Sequence, residues 1–128
     1  MKRTLLGLVL LSAGFGCSKA DYKEVDSVGA MALTQAPGAV ILDVRTPEEY
    51  AEGHIPGAKL IPLSELRLSA ERLPGGKSAS VLVYCRTGMR SALAASTLQK
   101  MGWTDVSSFK GGIIAWQAAG YPVVKGGV

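Results

Sequence analysis

Short apolar runs alternate with longer segments of mixed polarity along most of the chain. Runs rich in Val, Ile and Leu are typical of strands buried in a sheet. They predict strands at residues 39–42 and 80–84, and further short strands are expected at residues 22–25, 59–61 and 106–109. The segments between them predict helices at residues 27–35, 46–53, 64–73, 91–101 and 113–119. Strands separated by helices of this length form βαβ units, so we expect an α/β fold with a five-stranded, parallel sheet and helices on both faces.

One helix start is marked by local signals. Thr46 is placed as an N-cap, Pro47 follows at the first helical position, and Glu49 stands where a capping box needs it. The segment ends at Gly53, a residue typical of a helix C-terminus. The pattern therefore predicts a short helix directly after the second strand.

The first twenty residues have a different pattern. Lys2 and Arg3 precede an uncharged stretch from Thr4 to Ser18, which is the layout of a secretory signal peptide. The stretch is shorter than the roughly 20 apolar residues that span a bilayer. We therefore expect a signal peptide at residues 1–20, export of the protein, and a single domain at residues 21–128.

Two processing schemes are open. Cleavage before Cys17 would leave that cysteine as a lipidated first residue, although Gly14 and Phe15 depart from the usual lipoprotein pattern; cleavage before Asp21 would leave a soluble periplasmic form. The formal net charge of the whole chain is +4. Loss of Lys2 and Arg3 lowers it to +2, and further loss of Lys19 lowers it to +1. This near-neutral charge does not favour nucleic acid as a partner, and membrane association is expected only through a lipid on Cys17.

Composition and cysteine use narrow the chemistry. With 48% hydrophobic and 19% charged residues the chain can form a core, which excludes a disordered protein. The two cysteines, Cys17 and Cys85, make no CxxC pair. With a single histidine, His54, the chain has too few ligands of the right spacing for a zinc site, so we expect no metal and no organic cofactor. In one processing scheme Cys17 carries the lipid, and in the other it is removed with the signal peptide. Cys85 then becomes a lone free thiol in an exported protein, which makes it the first candidate for chemistry.

The loop around Cys85 supports a reactive thiolate. Cys85 directly follows the best predicted strand, and a helix is predicted to open near Ser91. Gly88 lets the intervening backbone curl so that its N–H groups converge on one point, where they can bind an anion. Helix N-termini and nearby cations such as Arg86 and Arg90 lower a thiol pKa. The composition of the loop therefore predicts a nucleophilic thiolate that attacks an anionic substrate.

Four motifs in this order resemble the single-domain rhodaneses, of the type that bacteria export. They lie at residues 42–50, 53–58 and 85–90, and at residues 111–113 followed by Ala115 and Trp116. The resemblance covers most of residues 22–122. It implies a three-layer rhodanese-like fold and a thiosulfate sulfurtransferase activity.

By that resemblance, Cys85 is the catalytic residue. It would take a sulfane sulfur from thiosulfate or another sulfane donor, release sulfite, and pass the sulfur from a persulfide to cyanide or a thiol acceptor. The resemblance also implies a substrate-binding loop formed by the residues that follow Cys85: Arg86, Thr87, Gly88, Met89, Arg90 and Ser91. A basic residue directly after the cysteine is typical of thiosulfate-using members, so Arg86, together with Arg90, favours a dianionic donor.

Two other functional classes are open. Phosphatases and arsenate reductases of this fold class place an Arg after five intervening residues, whereas four separate Cys85 from Arg90, which leaves space suited to one sulfur atom. A non-catalytic sulfur carrier or a rhodanese-fold interaction module is the third class. We expect Asp43, Arg45 and His54 to hold loops rather than react, since an ionised thiol needs no general base.

Overall fold

The computed structural model describes residues 22–127, so the predicted signal peptide and the lipidation site at Cys17 lie outside the described residues. The strands are β1 (Lys23–Val25), β2 (Val40–Asp43), β3 (Lys59–Leu60), β4 (Ser80–Tyr84) and β5 (Asp105–Phe109). The helices are α1 (Ser27–Thr34), α2 (Pro47–Glu52), α3 (Leu66–Ser69), α4 (Met89–Lys100) and α5 (Gly112–Ala118).

All five strands lie in one parallel sheet, in the order β1-β5-β4-β2-β3. Side chains of the central strand β4 alternate between two cores: Val81 and Val83 face one, and Leu82 and Tyr84 face the other. The first core contains side chains of α3 and α4, and the second contains side chains of α1, α2 and α5. The predicted α/β fold with helices on both faces is therefore confirmed.

Local signals placed every predicted element but one within two residues of its observed bounds. The fourth helix begins at Met89 rather than near Ser91, because Gly88 adopts the left-handed conformation and caps it. The predicted helix at residues 64–73 is instead a four-residue helix, α3, between two 3₁₀ turns. None of these three pieces has a side-chain N-cap.

The end of β2 carries a buried ion pair. Asp43 is 0% exposed and Arg45 is 5% exposed. The Arg45 guanidinium donates through Nε and Nη2 to the Asp43 carboxylate at 2.6–3.1 Å, and Nη2 also donates to the Gly53 carbonyl at 2.8 Å. The guanidinium lies 5.5 Å from the centre of the Tyr84 ring. The pair joins the end of β2 to the end of α2, so these residues hold loops, as expected.

His54 is also structural. Its ring stacks on Tyr50 at 3.6 Å between centroids, and Nδ1 lies 2.8 Å from the Tyr50 carbonyl oxygen. Its backbone pairs with Val124 in the C-terminal segment. The expected structural role of His54 fits these contacts. Among residues 22–127, no helix combines the length and the apolar character that a membrane crossing requires.

Replacement of Asp43 by Ala is expected to destabilise the domain by about 3–5 kcal/mol, because it leaves the Arg45 charge buried without its partner. Urea unfolding followed by circular dichroism measures the loss. The matched control is Asp105→Ala, which removes an exposed pair with Lys23 at 3.5 Å and should cost at most about 1 kcal/mol. Equal losses for the two variants would contradict the structural role of the buried pair.

Candidate active site

Cys85 lies at the carboxyl end of the central strand of the sheet. It directly follows β4, and three residues separate it from α4. The residue is only 1% exposed. In parallel sheets this edge is where ligands bind, and here the start of a helix faces it. The fold therefore places the one described cysteine where backbone N–H groups are unpaired.

Backbone amides converge on the sulfur. The Gly88 N–H donates to Cys85 Sγ at 3.0 Å, and the Ser91 N–H donates to it at 3.4 Å. Gly88 has a φ of +112°, which a residue with a side chain rarely adopts. This conformation lets the chain turn at Gly88 and enter α4, with the Gly88 N–H directed at the sulfur. The predicted convergence of loop amides on Cys85 is present in the structure.

These donors set the ionisation of the thiol. Burial raises the pKa of Cys85, but the N–H groups of Ser91, Gly88 and Thr87, together with the Ser91 hydroxyl, lower it by more, so the net pKa lies below the ordinary value of a thiol. The Ser91 hydroxyl donates to the Gly88 carbonyl at 3.0 Å and accepts from the buried Ser108 hydroxyl at 3.0 Å. These two hydrogen bonds hold in place the amide cradle, the loop residues whose N–H groups surround the sulfur.

The start of α5 holds the other side of the loop. The Ile113 N–H donates to the Cys85 carbonyl at 2.9 Å, and the Ile114 N–H donates to the Arg86 carbonyl at 3.3 Å. Gly112 allows this approach, because a Cβ there would lie less than 3.0 Å from both carbonyl oxygens. With its carbonyls bound to α5, the loop is free to turn its own amides toward the sulfur.

The Arg90 side chain is bound by a carboxylate of α2. Its Nη1 and Nη2 donate to the two Glu49 carboxylate oxygens at 2.7 and 3.0 Å. The Arg90 guanidinium lowers the pKa of Glu49 to about 2, despite partial burial that opposes the shift, so the carboxylate is ionised at every pH at which the protein would be assayed. Glu49 also completes the predicted capping box with Thr46. One carboxylate therefore joins the starts of α2 and α4.

The other predicted loop residues face solvent. Arg86 and Thr87 are exposed, and Met89 is 79% exposed in the first turn of α4. Arg86 has no ion-pair partner among residues 22–127. It lines a cleft of about 280 Å³ between α2 and α5, together with side chains from both helices. The cleft begins one residue from Cys85 and gives a ligand access to the loop.

The structure brings Cys85, Gly88 and Ser91 into one cluster and leaves Arg86, Thr87 and Met89 at its rim. Sequence reasoning missed the roles of two residues that complete the site: Glu49, which was interpreted only as a cap, and Gly112, which lies in one of the four motifs but was given no role. A pattern within one segment could not have revealed either contact, since Glu49 lies 41 residues before Arg90.

Comparison with known proteins identifies the family. A family model described as a rhodanese-like domain matches residues 29–119. The chain belongs to the rhodanese family. The rhodanese match runs from α1 to the end of α5, so it contains both the Cys85 loop and Gly112.

Individual rhodanese relatives cover most of the chain. A sulfurtransferase of Allochromatium vinosum is 36% identical over 79% of this chain and 94% of its own length. The thiosulfate sulfurtransferase GlpE of Pseudoalteromonas translucida is 34% identical over 77% of this chain and 91% of its own. The crystal structure of a rhodanese-related protein from Thermoplasma volcanium is 34% identical, with a TM-score of 0.71, and the match covers 80% of this chain and 98% of that one.

The Gly112 contact gives a testable expectation. Gly112→Ala should destabilise the domain by about 3 kcal/mol or more, since strain at positive φ adds to a collision with the loop carbonyls. Gly120→Ala is the matched control: its φ is +80° with open space around it, so strain alone should cost about 1 kcal/mol. Urea unfolding measures both. Similar losses for the two variants would show that α5 does not hold the loop through Gly112.

The pKa of Cys85 is a second expectation. Thiolate absorbance at 240 nm, with the Cys85→Ser signal subtracted, should titrate at lower pH in the folded chain than in urea. Because the folded pKa is the lower one, the thiolate contributes stability that is fully present above the unfolded pKa of about 8.5 and is lost as pH falls through the folded value. A folded midpoint at or above the unfolded one would contradict the role of the loop amides.

Proposed function

We propose that this protein is a sulfurtransferase that moves a sulfane sulfur from thiosulfate to cyanide or a thiol through a persulfide on Cys85. The observation that carries the proposal is the buried sulfur held by the Gly88 and Ser91 amides at the start of α4. A cradle of this kind stabilises a thiolate, and it can stabilise the negative charge of a persulfide in the same way.

The loading step needs only the thiolate. Cys85 Sγ attacks the outer sulfur of thiosulfate and forms a new S–S bond. The bond between that sulfur and the sulfonate sulfur breaks, and its electron pair leaves with sulfite. Charge and atoms balance without a proton transfer or a redox partner, so the absence of a general base beside Cys85 among the described hydrogen bonds is consistent with the step.

The unloading step follows the same logic. Cyanide carbon or an acceptor thiolate attacks the outer sulfur of the persulfide, and the electron pair of the S–S bond returns to Cys85 Sγ. The products are thiocyanate or an acceptor persulfide. The loop amides receive the regenerated thiolate, which is the state that they stabilise best.

Family and loop charge support different parts of the proposal. The rhodanese match and the sulfurtransferase relatives support sulfurtransferase activity in general. The GlpE relative, named a thiosulfate sulfurtransferase, favours thiosulfate. The unpaired, exposed Arg86 beside Cys85 supports an anionic donor. We further propose that the enzyme acts outside the cytoplasm, in the periplasm or anchored through Cys17.

The phosphatase alternative is less well supported by the geometry. A phosphatase loop needs an Arg that binds the phosphoryl oxygens, but the Arg90 guanidinium is committed to Glu49 at 2.7 and 3.0 Å. A carrier or interaction module would share the fold but not the turnover. Repeated transfer between small donor and acceptor therefore separates the enzyme from a carrier.

Intact-protein mass spectrometry tests the proposal directly. Thiosulfate should add the mass of one sulfur atom to the reduced protein, and cyanide should remove it. Repeated cycles should yield thiocyanate in excess over protein. Cys85→Ser should abolish both the mass gain and turnover while retaining the fold by circular dichroism, because the serine hydroxyl is not ionised near neutral pH. Unchanged turnover in Cys85→Ser would contradict the mechanism, and loading without turnover would favour the carrier.

A further inference from the structure

Two hydroxyls connect the active-site loop to the neighbouring strand β5. Ser108 lies on β5 opposite Val83, which precedes Cys85 by two residues. Val106 of the same strand belongs to the first core and side chains alternate along a strand, so Ser108 points toward α4. Its hydroxyl lies 3.0 Å from the Ser91 hydroxyl. Ser108 is 3% exposed and Ser91 is 0% exposed, so each hydroxyl depends on partners within the protein.

The protons of these two hydroxyls have one consistent arrangement. A hydroxyl donates one proton and can accept two hydrogen bonds. The Ser91 proton is donated to the Gly88 carbonyl at 3.0 Å, so the bond between the two serines must take its proton from Ser108. Ser108 therefore sets the direction of the chain: its own proton faces Ser91 Oγ, and the Ser91 proton faces the active-site loop.

The Ser91 proton has a second acceptor, the Cys85 sulfur. The Ser91 hydroxyl interacts with this sulfur, since it is one of the groups that lower the pKa of the thiol. The Gly88 carbonyl, which accepts the Ser91 proton in the structure, also accepts the Ala92 N–H at 3.2 Å. Rotation of the Ser91 O–H bond from the carbonyl to the sulfur would thus leave the carbonyl paired. Because a hydrogen bond to a charged acceptor is the stronger one, the charge of the sulfur decides between the two positions.

We propose that Ser108 is a positioning residue for sulfur transfer: it holds the Ser91 proton on the side of the loop, where the Gly88 carbonyl accepts it when Cys85 is neutral and the sulfur accepts it when Cys85 is a thiolate. This inference rests on the proposed persulfide function, in which the thiolate attacks the donor and is regenerated on transfer. The hydroxyl relay, Ser108 to Ser91 to the loop, then adds a donor to the Gly88 and Ser91 amides.

Donation by Ser108 also strengthens the relay. A hydroxyl that accepts a hydrogen bond becomes a better donor, because successive hydrogen bonds polarise each other in a medium of low dielectric constant. Helix α5 carries no charged side chain. The charged side chains in and around the loop include Asp43, Arg45, Glu49, Arg86, Arg90 and Lys110. All of them are kept in the variants below, so a change in the ionisation of the thiol can be assigned to the hydroxyls.

The first test titrates the Cys85 thiol in the full chain. Thiolate absorbance at 240 nm is followed against pH, and the signal of the matching Cys85→Ser variant is subtracted for each protein. Ser108→Ala should move the midpoint to higher pH, because the donor to the thiolate is weakened. Ser91→Ala should move it further, since it removes that donor. Ser108→Thr keeps a hydroxyl and should return the midpoint toward the wild-type value.

Ser107→Ala is the matched control. Ser107 precedes Ser108 on β5 and is also 3% exposed, but alternation along the strand points it toward the opposite core, which contains Phe109. Its replacement should leave the midpoint unchanged. A midpoint that rises equally in Ser107→Ala and Ser108→Ala would reflect a general loosening of β5, and it would overturn the proposal.

A double-mutant cycle tests whether Ser108 acts through Ser91. In the Ser91→Ala background, the further change Ser108→Ala should not move the midpoint, because the relay is already broken. A further rise as large as that in the wild-type background would show that Ser108 acts on the sulfur by another route. If Ser108→Ala does not fold by circular dichroism, Ser91→Ala still decides, since an unchanged midpoint in that variant contradicts the relay.

The rate of sulfur loading adds a readout that a merely structural role would not move. At pH values below the wild-type midpoint, the second-order rate constant for the gain of one sulfur mass from thiosulfate should fall about fivefold in Ser108→Ala, the effect of one weakened hydrogen bond. Above both midpoints the two rate constants should converge, because both proteins then hold the thiolate. An equal loss at every pH would indicate misplaced loop atoms and would overturn the relay.

The outcomes separate the two proposals. If the wild-type protein gains no sulfur from thiosulfate, the persulfide function is wrong, and the absorbance midpoints still decide the role of Ser108. If the wild type gains sulfur but Ser91→Ala and Ser108→Ala keep its midpoint, the function stands and the relay is overturned.

Discussion

Donation of backbone N–H groups to the Cys85 sulfur is the interaction around which the site is built. A buried thiolate without donors would be too costly, and it would take up a proton instead. The Gly88 and Ser91 amides meet this requirement without a cationic side chain in contact with the sulfur. To present those amides, the loop must turn its carbonyls away, and N–H groups at the start of α5 donate hydrogen bonds to them. Gly112 is therefore as necessary to the cradle as Gly88, although it lies on another helix.

The Glu49 carboxylate imposes a second constraint. It caps α2 through Thr46 and binds Arg90 in the first turn of α4, so the two helix starts are connected by one side chain. Because Arg90 lies between Gly88 and Ser91, this ion pair ties the cradle to the start of α2. The same contact neutralises a guanidinium beside the nucleophile. A residue whose local role is helix capping thus also sets the electrostatics of the site.

Sequence patterns predicted the structural features that depend on residues close together along the chain. The apolar run of β4, the capping box at Thr46 and the converging amides after Cys85 each follow from a few adjacent residues. Contacts between distant segments were not predictable in this way. Arg90 was expected to belong to the substrate-binding loop, and no residue near it in sequence indicates that α2 supplies Glu49. The start of α4 was misplaced for a related reason: Gly88 caps it through backbone conformation, without a side-chain signal.

The two arginines of the loop look equivalent in sequence, yet the fold gives them different roles. Arg90 is held by a carboxylate whose pKa of about 2 keeps the pair intact, whereas Arg86 has no partner among residues 22–127 and faces a cleft. Counting cations would predict a strongly positive mouth that attracts dianions. The Glu49–Arg90 pair instead leaves Arg86 as the loop arginine without an ion-pair partner among residues 22–127. The net charge beside Cys85 therefore depends on which charges the surrounding helices leave unpaired, and α2 becomes part of the site although it lies far from Cys85 in sequence.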